Sequence, residues 1–173
     1  MPEIWDVYDG NRVKTGKTVL RGERRQPDEY CLGMHAWVRN SRGEWLLSRR
    51  AAEKTFAGYW ECTGGGVVAG ETTLQSAARE VREELGVRVN MDTARLFRTC
   101  KKESENGGSF LDVWVFFCDW AIEDIVLQDG ETCDAMWANK EEILRMRADG
   151  RLLPPEHYPY LEELLDAEWT DII

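Results

Sequence analysis

Hydrophobic residues occur along the chain in short runs, separated by segments rich in glycine, asparagine, serine and charged residues. Short runs with turn residues between them are typical of β-strands. One pair, "LGMHAWVRN" and "WLLSRR", flanks the turn "SRGE" and predicts a hairpin that begins at Leu32. The predicted strands are 4–8, 17–21, the two strands of this hairpin, 94–101, 110–120 and 135–138.

Three segments carry their hydrophobic residues at helical spacing instead. The first runs from Thr72 to Leu85 and is closed by Gly86, a residue type that commonly terminates helices. The second starts at Asn139, the first residue of a capping-box pattern, and ends near Gly150. The third is "PYLEELLDAEW", residues 159–169. Because strands and helices are interleaved, the pattern predicts a layered α/β domain.

The N-terminal region differs from the rest of the chain in its organisation. Its two β-biased runs enclose "DGNRVKTG", which predicts a two-stranded hairpin, and the chain then bends at "RRQPDEY". We therefore divide the chain into an N-terminal arm, 1–28, and a main domain, 29–173. The arm either supports a homodimer or covers an edge of the sheet, and the sequence leaves both alternatives open.

Composition narrows the classes of partner. The 173-residue chain is long enough for one domain with its own core, and its formal net charge is −10. This charge argues against nucleic-acid polymers and anionic membrane surfaces, but allows a small phosphorylated ligand if a cation is recruited. Five scattered cysteines without a CxxC pair, and an N-terminus without a signal-peptide pattern, predict a cytoplasmic protein with reduced thiols.

The first predicted helix concentrates negative charge on one face. Glu80, Glu83 and Glu84 have i, i+3, i+4 spacing, whereas Arg79 and Arg82 are expected to project elsewhere. A solvated acidic face is the simplest explanation of such a cluster. The alternative is a divalent cation that relieves the repulsion, and oxygen ligands favour Mg²⁺, with Mn²⁺ possible.

The segment around this helix resembles the Nudix box. Gly65, five residues, Glu71 and seven residues are followed by "REVREELGV", residues 79–87, which fills all nine defined positions of the motif Gly-x5-Glu-x7-Arg-Glu-U-x-Glu-Glu-x-Gly-U, with U apolar. A chance match over so many positions is on the order of one in ten million for a chain of this length. On this resemblance, residues 29–173 form a Nudix domain.

The resemblance implies a fold and a chemistry. Nudix proteins share an α/β/α sandwich with a mixed sheet, and they typically hydrolyse a nucleoside diphosphate linked to another moiety, using a divalent metal. Carried onto this chain, Glu80, Glu83 and Glu84 become metal ligands, Arg79 orients the carboxylates, and Gly65 shapes a loop at the substrate. The expected partner is therefore a small-molecule diphosphate, whose anhydride is split by water.

A general base is also required. Family members supply it from the box helix or from a glutamate in a later loop, and "LQDGETCDAMW" places Glu131 in such a loop. We expect Glu131 to be the base, although a simple loop carboxylate is an equally open alternative. Glu84 and Glu83 are the other candidates.

A wider resemblance points to a Nudix subgroup close to isopentenyl-diphosphate isomerase. It rests on "WDVYDGNRVKTG" and "SRRAAEKTFAGYWECTGG". In that subgroup an Arg-x3-Lys pair upstream of the box contacts the diphosphate, and Arg50 and Lys54 have this spacing. Two solvated loop cations are the alternative interpretation.

The chain departs from the isomerase at the catalytic residues. The isomerase has a cysteine closely followed by a histidine near the box and a histidine-rich metal site. Here Cys62 lies a few positions early and is expected in the core, while the histidines, His35 and His157, lie outside the box. His35 alternates with apolar residues on a strand and is expected to be structural. Prenyl-diphosphate isomerase therefore remains only an alternative.

The loop before the box supplies aromatic candidates for substrate contact. Phe56, Tyr59 and Trp60 lie there, and we expect an aromatic side chain such as Trp60 to border the substrate. A non-catalytic Nudix module that binds a ligand is the other alternative function. The complete set of box carboxylates argues against it, because ligand binding alone does not require all of them.

Overall fold

The computed structural model describes residues 2–169, so positions 170–173 of the predicted main domain lie outside the described residues. Within them, nine strands form one sheet, accompanied by helices α1 to α3. The strands are β1 (Ile4–Tyr8), β2 (Lys14–Leu20), β3 (Tyr30–Arg39), β4 (Trp45–Arg50), β5 (Trp60–Glu61), β6 (Thr63–Gly66), β7 (Arg95–Lys102), β8 (Gly108–Phe117) and β9 (Thr132–Ala138). The helices are α1 (Thr73–Leu85), α2 (Lys140–Ala148) and α3 (Leu161–Asp166).

The sheet is mixed and is organised around β3. Along its whole length β3 pairs in parallel with β8, from Tyr30 opposite Gly108 onwards. It pairs antiparallel with β6, where His35 lies opposite Gly64, and with β4. The predicted hairpin between β3 and β4 is confirmed.

Helices cover both faces of the sheet. Alternate side chains of β3, such as Met34 and Ala36, belong to the core that contains Val81 of α1. Trp37, the next residue in the strand, points to the opposite core, which contains Ile143 of α2 and the apolar residues of α3. These two cores confirm the predicted α/β/α sandwich.

The helix ends follow local sequence signals. The hydroxyl oxygen of Thr72 accepts the backbone N–H of Gln75, and Gly86 ends α1 in the left-handed conformation at φ 70°. Asn139 caps α2 in the same capping-box manner. Helix α3 is shorter than the predicted segment 159–169. No helix within residues 2–169 is long and apolar enough to cross a membrane.

The predicted N-terminal hairpin is present and packs closely on the main domain. Its second strand starts earlier than predicted, because Asp9 Oδ1 accepts backbone N–H groups of Asn11 and Val13 and tightens the turn. The backbone N–H of Ala69 donates to the carbonyl of Ile4 at 2.8 Å. The hairpin therefore contacts the loop that precedes α1.

A buried carboxylate ties this arm to the rest of the fold. Asp112, 2% exposed, accepts hydrogen bonds from Arg12 at 2.9 Å and from the hydroxyls of Thr73 and Thr99 at 2.6 Å. Burial alone would raise the pKa of Asp112, but the hydrogen bonds from Arg12, Thr73 and Thr99 outweigh it and lower that pKa. One side chain thus joins the arm, α1, β7 and β8.

Candidate active site

A cavity of about 150 Å³ lies between β6, α1 and the N-terminal arm. We call it the carboxylate cavity, because acidic side chains from three parts of the chain border it. Its lining residues are Glu3, Arg21, Lys54, Gly64, Gly65, Gly66, Arg79, Glu80, Glu83, Glu84, Gln128 and Glu131.

The fold brings most of the predicted site residues to this cavity. The Nudix-box residues among them are Gly65, Arg79, Glu80, Glu83 and Glu84. Lys54 and Glu131, which are distant from the box in sequence, lie there too and form an ion pair with each other. Arg50 and Trp60 do not line it.

Arg79 is bonded to the acidic side chains, as the resemblance implied, whereas the helical spacing predicted that it would project away from them. Its Nε donates to Glu71 at 3.0 Å, and its Nη1 donates to Glu80 at 2.7 Å and to Glu83 at 2.9 Å. The hydrogen bond with Glu71 is the largest of the effects that raise the pKa of Arg79, so this guanidinium stays charged. Arg79 therefore fixes the orientation of carboxylates on α1 and on the preceding loop.

Glu84 has the least compensated charge of the box carboxylates. Its Oε2 is buried and has no hydrogen-bond partner among residues 2–169. Burial, together with the neighbouring charges of Glu61 and Glu80, raises the pKa of Glu84 to about 8. Burial likewise raises the pKa of Glu80. Such a group is stabilised as an anion only when a positive charge approaches it.

The donor set of the cavity fits a hard divalent cation. In the described part of the chain, no three acidic, cysteine or histidine side chains lie close enough to form a ready-made metal cluster. The guanidinium of Arg79 already holds Glu80 and Glu83. All three predicted ligands nevertheless line one cavity, and the unpartnered Oε2 of Glu84 is an oxygen donor of the type that Mg²⁺ and Mn²⁺ prefer.

Arg50 makes an ion pair with a residue that the sequence analysis missed. Its Nη1 donates to Glu61 at 2.7 Å, and its Nε donates to the carbonyl of Thr55. Burial raises the pKa of Glu61, against the lowering effect of Arg50. The spacing of Arg50 and Lys54 suggested that they act together, but they face different carboxylates.

The arm contributes further residues that the sequence analysis missed. Arg21 Nη1 lies 3.0 Å from Glu3 Oε1, and both side chains border the carboxylate cavity. Trp5 packs so close to Gly66 that a Cβ at Gly66 would lie 2.3 Å from its ring. No local pattern signals these contacts, because they depend on how the arm docks on the main domain.

Several candidates belong to the core instead. Trp60 packs against the core that contains Trp37, while its backbone N–H donates to the carbonyl of Arg151. Cys62 is 1% exposed, and burial raises its pKa well above the usual range. Burial lowers the pKa of His35 to about 3, and its Nδ1 contacts the Tyr160 hydroxyl at 2.5 Å. The expected structural roles of Cys62 and His35 agree with these positions.

Comparison with known proteins assigns the family. The model described as NUDIX domain matches residues 29–163, which is most of the chain. The chain belongs to the Nudix hydrolase family. It is 34% identical over 168 residues to the uncharacterized Nudix hydrolase lmo0368 of Listeria monocytogenes, covering 96% of this chain and 95% of that protein. It is 30% identical over 125 residues to the CTP pyrophosphohydrolase of Escherichia coli, covering 71% of this chain and 83% of that one.

A solved structure supports the same fold for this Nudix hydrolase. The crystal structure of DR0079 from Deinococcus radiodurans superposes with a TM-score of 0.72 at 22% sequence identity. The superposition covers 93% of this chain and 98% of that one. At this identity the likeness concerns the fold alone.

Proposed function

We propose that this Nudix hydrolase cleaves the phosphoanhydride bond of a small-molecule diphosphate, in particular a nucleoside diphosphate linked to another moiety. The main support for this proposal is that one cavity is lined by the box carboxylates together with Lys54 and Glu131. The net charge of −10 favours a small ligand over a nucleic-acid polymer or a membrane surface. The scattered, unpaired cysteines are consistent with action in the cytoplasm.

In this proposal Glu80, Glu83 and Glu84 hold Mg²⁺ or Mn²⁺. When bound, the cation neutralises the diphosphate and lowers the pKa of the attacking water. Arg79 keeps the carboxylates oriented through its bonds to Glu71, Glu80 and Glu83. The backbone at Gly65 leaves room for the diphosphate beside these groups.

Fixed cations complete the diphosphate site. Lys54 borders the carboxylate cavity and can exchange its partner Glu131 for a phosphate oxygen. That exchange frees Glu131 to accept a proton from water. Arg50 supports the same loop by its bond to the carbonyl of Thr55. In this proposal the main domain, 29–173, supplies the metal ligands and the general base. The arm, 1–28, supplies Arg21 as a further cation for the diphosphate.

Glu131→Gln tests the assignment of the general base. We expect kcat to fall by about a hundredfold, because a positioned base contributes this order of rate enhancement. Folding should be preserved, since the Lys54 ion pair is partly exposed and worth less than about 1 kcal/mol. Steady-state kinetics measures kcat for this variant and for the control Glu123→Gln, which changes an exposed glutamate. If Glu131→Gln kept full activity, Glu131 would not be the general base, and Glu84 or Glu83 would be assigned that role instead.

Arg21→Ala tests the contribution of the arm. We expect KM to rise about fivefold with little change in kcat, which is a modest effect because the Arg21 side chain is 57% exposed in its pair with Glu3. Arg24→Ala, an exposed arginine of the same arm that does not border the cavity, is the matched control. Equal KM values for Arg21→Ala and Arg24→Ala would show that Arg21 does not contribute to substrate binding.

The substrate class is tested by a panel of diphosphates with and without Mg²⁺. The panel contains nucleoside triphosphates, ADP-ribose, NADH, diadenosine polyphosphates and isopentenyl diphosphate, and product release is followed by chromatography. Because one relative is named CTP pyrophosphohydrolase, the nucleoside triphosphates of the panel should include each common base. Metal-dependent cleavage of a nucleotide is the expected result. Double-bond isomerisation of isopentenyl diphosphate, or ligand binding without turnover, would support the prenyl-diphosphate isomerase or the non-catalytic module.

A further inference from the structure

A groove of about 550 Å³ lies beside α1 and is distinct from the carboxylate cavity. We call it the α1 groove. Its lining residues are Gln75, Ala78, Arg79, Arg82, Arg88, Val89 and Met91. Among the described residues, only Arg79 borders both the groove and the carboxylate cavity.

The helical spacing of α1 gathers one wall of this groove on a single face. The residues of that wall follow the spacing i, i+3, i+4 and i+7 and are Gln75, Ala78, Arg79 and Arg82. Gly86 then ends the helix in the left-handed conformation, and the segment 88–91 supplies the rest of the lining. The groove is therefore a fixed product of the helix and of the turn that ends it.

The groove concentrates positive charge in a strongly acidic chain. Three of its described lining residues are arginines and none is acidic, although the formal net charge is −10. Arg79 is paired with glutamates, but Arg82 and Arg88 are exposed and form no ion pair within residues 2–169. Arg82 also follows Arg79 at i+3, so their like charges repel each other. An anion in the groove would relieve this repulsion.

Apolar side chains lie beside these cations. Ala78 and Val89 are half-buried and pack against the core that contains Val81. Met91 is 44% exposed, and its flexible thioether side chain can adapt to the shape of a ligand. The volume of the groove is typical of small-molecule sites. The groove therefore suits an organic molecule that carries an apolar body and an anionic group.

The two free guanidinium groups favour phosphate among the anions. A guanidinium donates two parallel N–H bonds to neighbouring oxygens of a carboxylate or a phosphate. A phosphate monoester has three such oxygens and a charge of about −2, so it can engage two arginines at once. We propose that the α1 groove binds a small organic phosphate, with its phosphoryl group at Arg82 and Arg88 and its apolar body at Val89 and Met91.

Arg79 connects this site with the carboxylate cavity. It borders both, and its guanidinium holds Glu80 and Glu83. An anion in the groove attracts that guanidinium and weakens its competition with a metal ion for the two carboxylates. Phosphate and Mg²⁺ should therefore raise each other's affinity, by the same factor of about five. This coupling rests on the proposed function, whereas anion binding in the groove does not depend on it.

Fluorescence titration with anilinonaphthalene sulfonate, in the absence of metal, tests the site. This dye has an apolar ring system and one anionic group, and unsulfonated anilinonaphthalene should bind about tenfold more weakly. The double variant Arg82→Gln/Arg88→Gln should weaken binding of the sulfonate about tenfold. The matched control Arg24→Gln/Arg95→Gln removes the same charge from exposed positions outside the groove and should bind like the wild type. Equal affinity of the groove variant and the wild type would overturn the inference.

Two further measurements sharpen this test. Phenyl phosphate should displace the dye at about tenfold lower concentration than benzoate, and stronger displacement by benzoate would refute the phosphate assignment. Thermal unfolding of the double variant should show a change in Tm of less than about 3 °C, because both arginines are exposed. Arg88→Gln alone lies outside α1, and should weaken dye binding about threefold without altering the helix.

Repeating the titration with saturating Mg²⁺ at constant ionic strength measures the coupling. The affinity for the dye should rise about fivefold in the wild type but not in Glu83→Gln, which lacks a proposed metal ligand. Unchanged affinity in the wild type would refute the connection through Arg79. Dye binding that is independent of Arg82 and Arg88, beside normal hydrolysis, would refute only the groove site. Failure to hydrolyse any diphosphate of the panel would refute only the proposed function, because the metal-free titration involves no catalysis.

Discussion

Replacing Glu83 by glutamine should lower kcat by about a thousandfold, equivalent to roughly 4 kcal/mol of activation free energy. Glutamine keeps the shape of the side chain but removes the charge that we assign to metal binding. The loss of the ion pair with Arg79 should cost less than about 1 kcal/mol of folding stability, because Glu83 is 42% exposed. Steady-state kinetics at several Mg²⁺ concentrations measures the effect.

The matched control is Glu141→Gln, which changes an exposed glutamate on α2 outside the carboxylate cavity. We expect wild-type kinetics for it, and thermal unfolding should show that both variants fold. Direct titration with Mn²⁺ should show weakened binding only for Glu83→Gln. Undiminished turnover of that variant would exclude Glu83 as a ligand.

Replacing Asp112 by alanine should destabilise the protein by about 3 kcal/mol, since it removes the buried partner of Arg12 and of two hydroxyls. This corresponds to a fall in Tm of roughly 6–12 °C for a domain of this size. Asp124→Ala, at an exposed position, is expected to change stability by less than about 0.5 kcal/mol. Differential scanning calorimetry of both variants tests the contrast.

The lowered pKa of Asp112 also sets the sign of a pH dependence. Its stabilising contribution is complete above the unfolded-state pKa of about 3.9 and is lost as the pH falls through the lower folded-state value. Asp112→Asn should therefore lose less stability than the wild type in this acidic range. Parallel curves of stability against pH would show that the Asp112 network contributes nothing to acid stability.

The sequence predicted the parts of the fold that depend on local signals. Thr72 and Gly86 mark the ends of α1 because each acts on the backbone within one turn. The spacing of Glu80, Glu83 and Glu84 places them on one side of the helix, which is enough to predict their common cavity.

The remaining parts of the site depend on contacts between distant segments. Arg21 reaches the carboxylate cavity only because the arm docks on β6 and on the loop that precedes α1. For Arg79 the prediction from the helical spacing was wrong for a different reason. Its position on the helical wheel predicted a side chain away from the glutamates, but its long, forked guanidinium bridges to both sides.

The contact between Arg12 and Asp112 spans 100 residues of sequence. During synthesis the arm emerges from the ribosome well before its carboxylate partner on β8. A long loop must therefore close before the arm can dock, so this step comes late in folding. Until then the carboxylate cavity lacks the side that the arm forms, and a nascent or C-terminally truncated chain that stops before β8 is expected to leave this cavity incomplete.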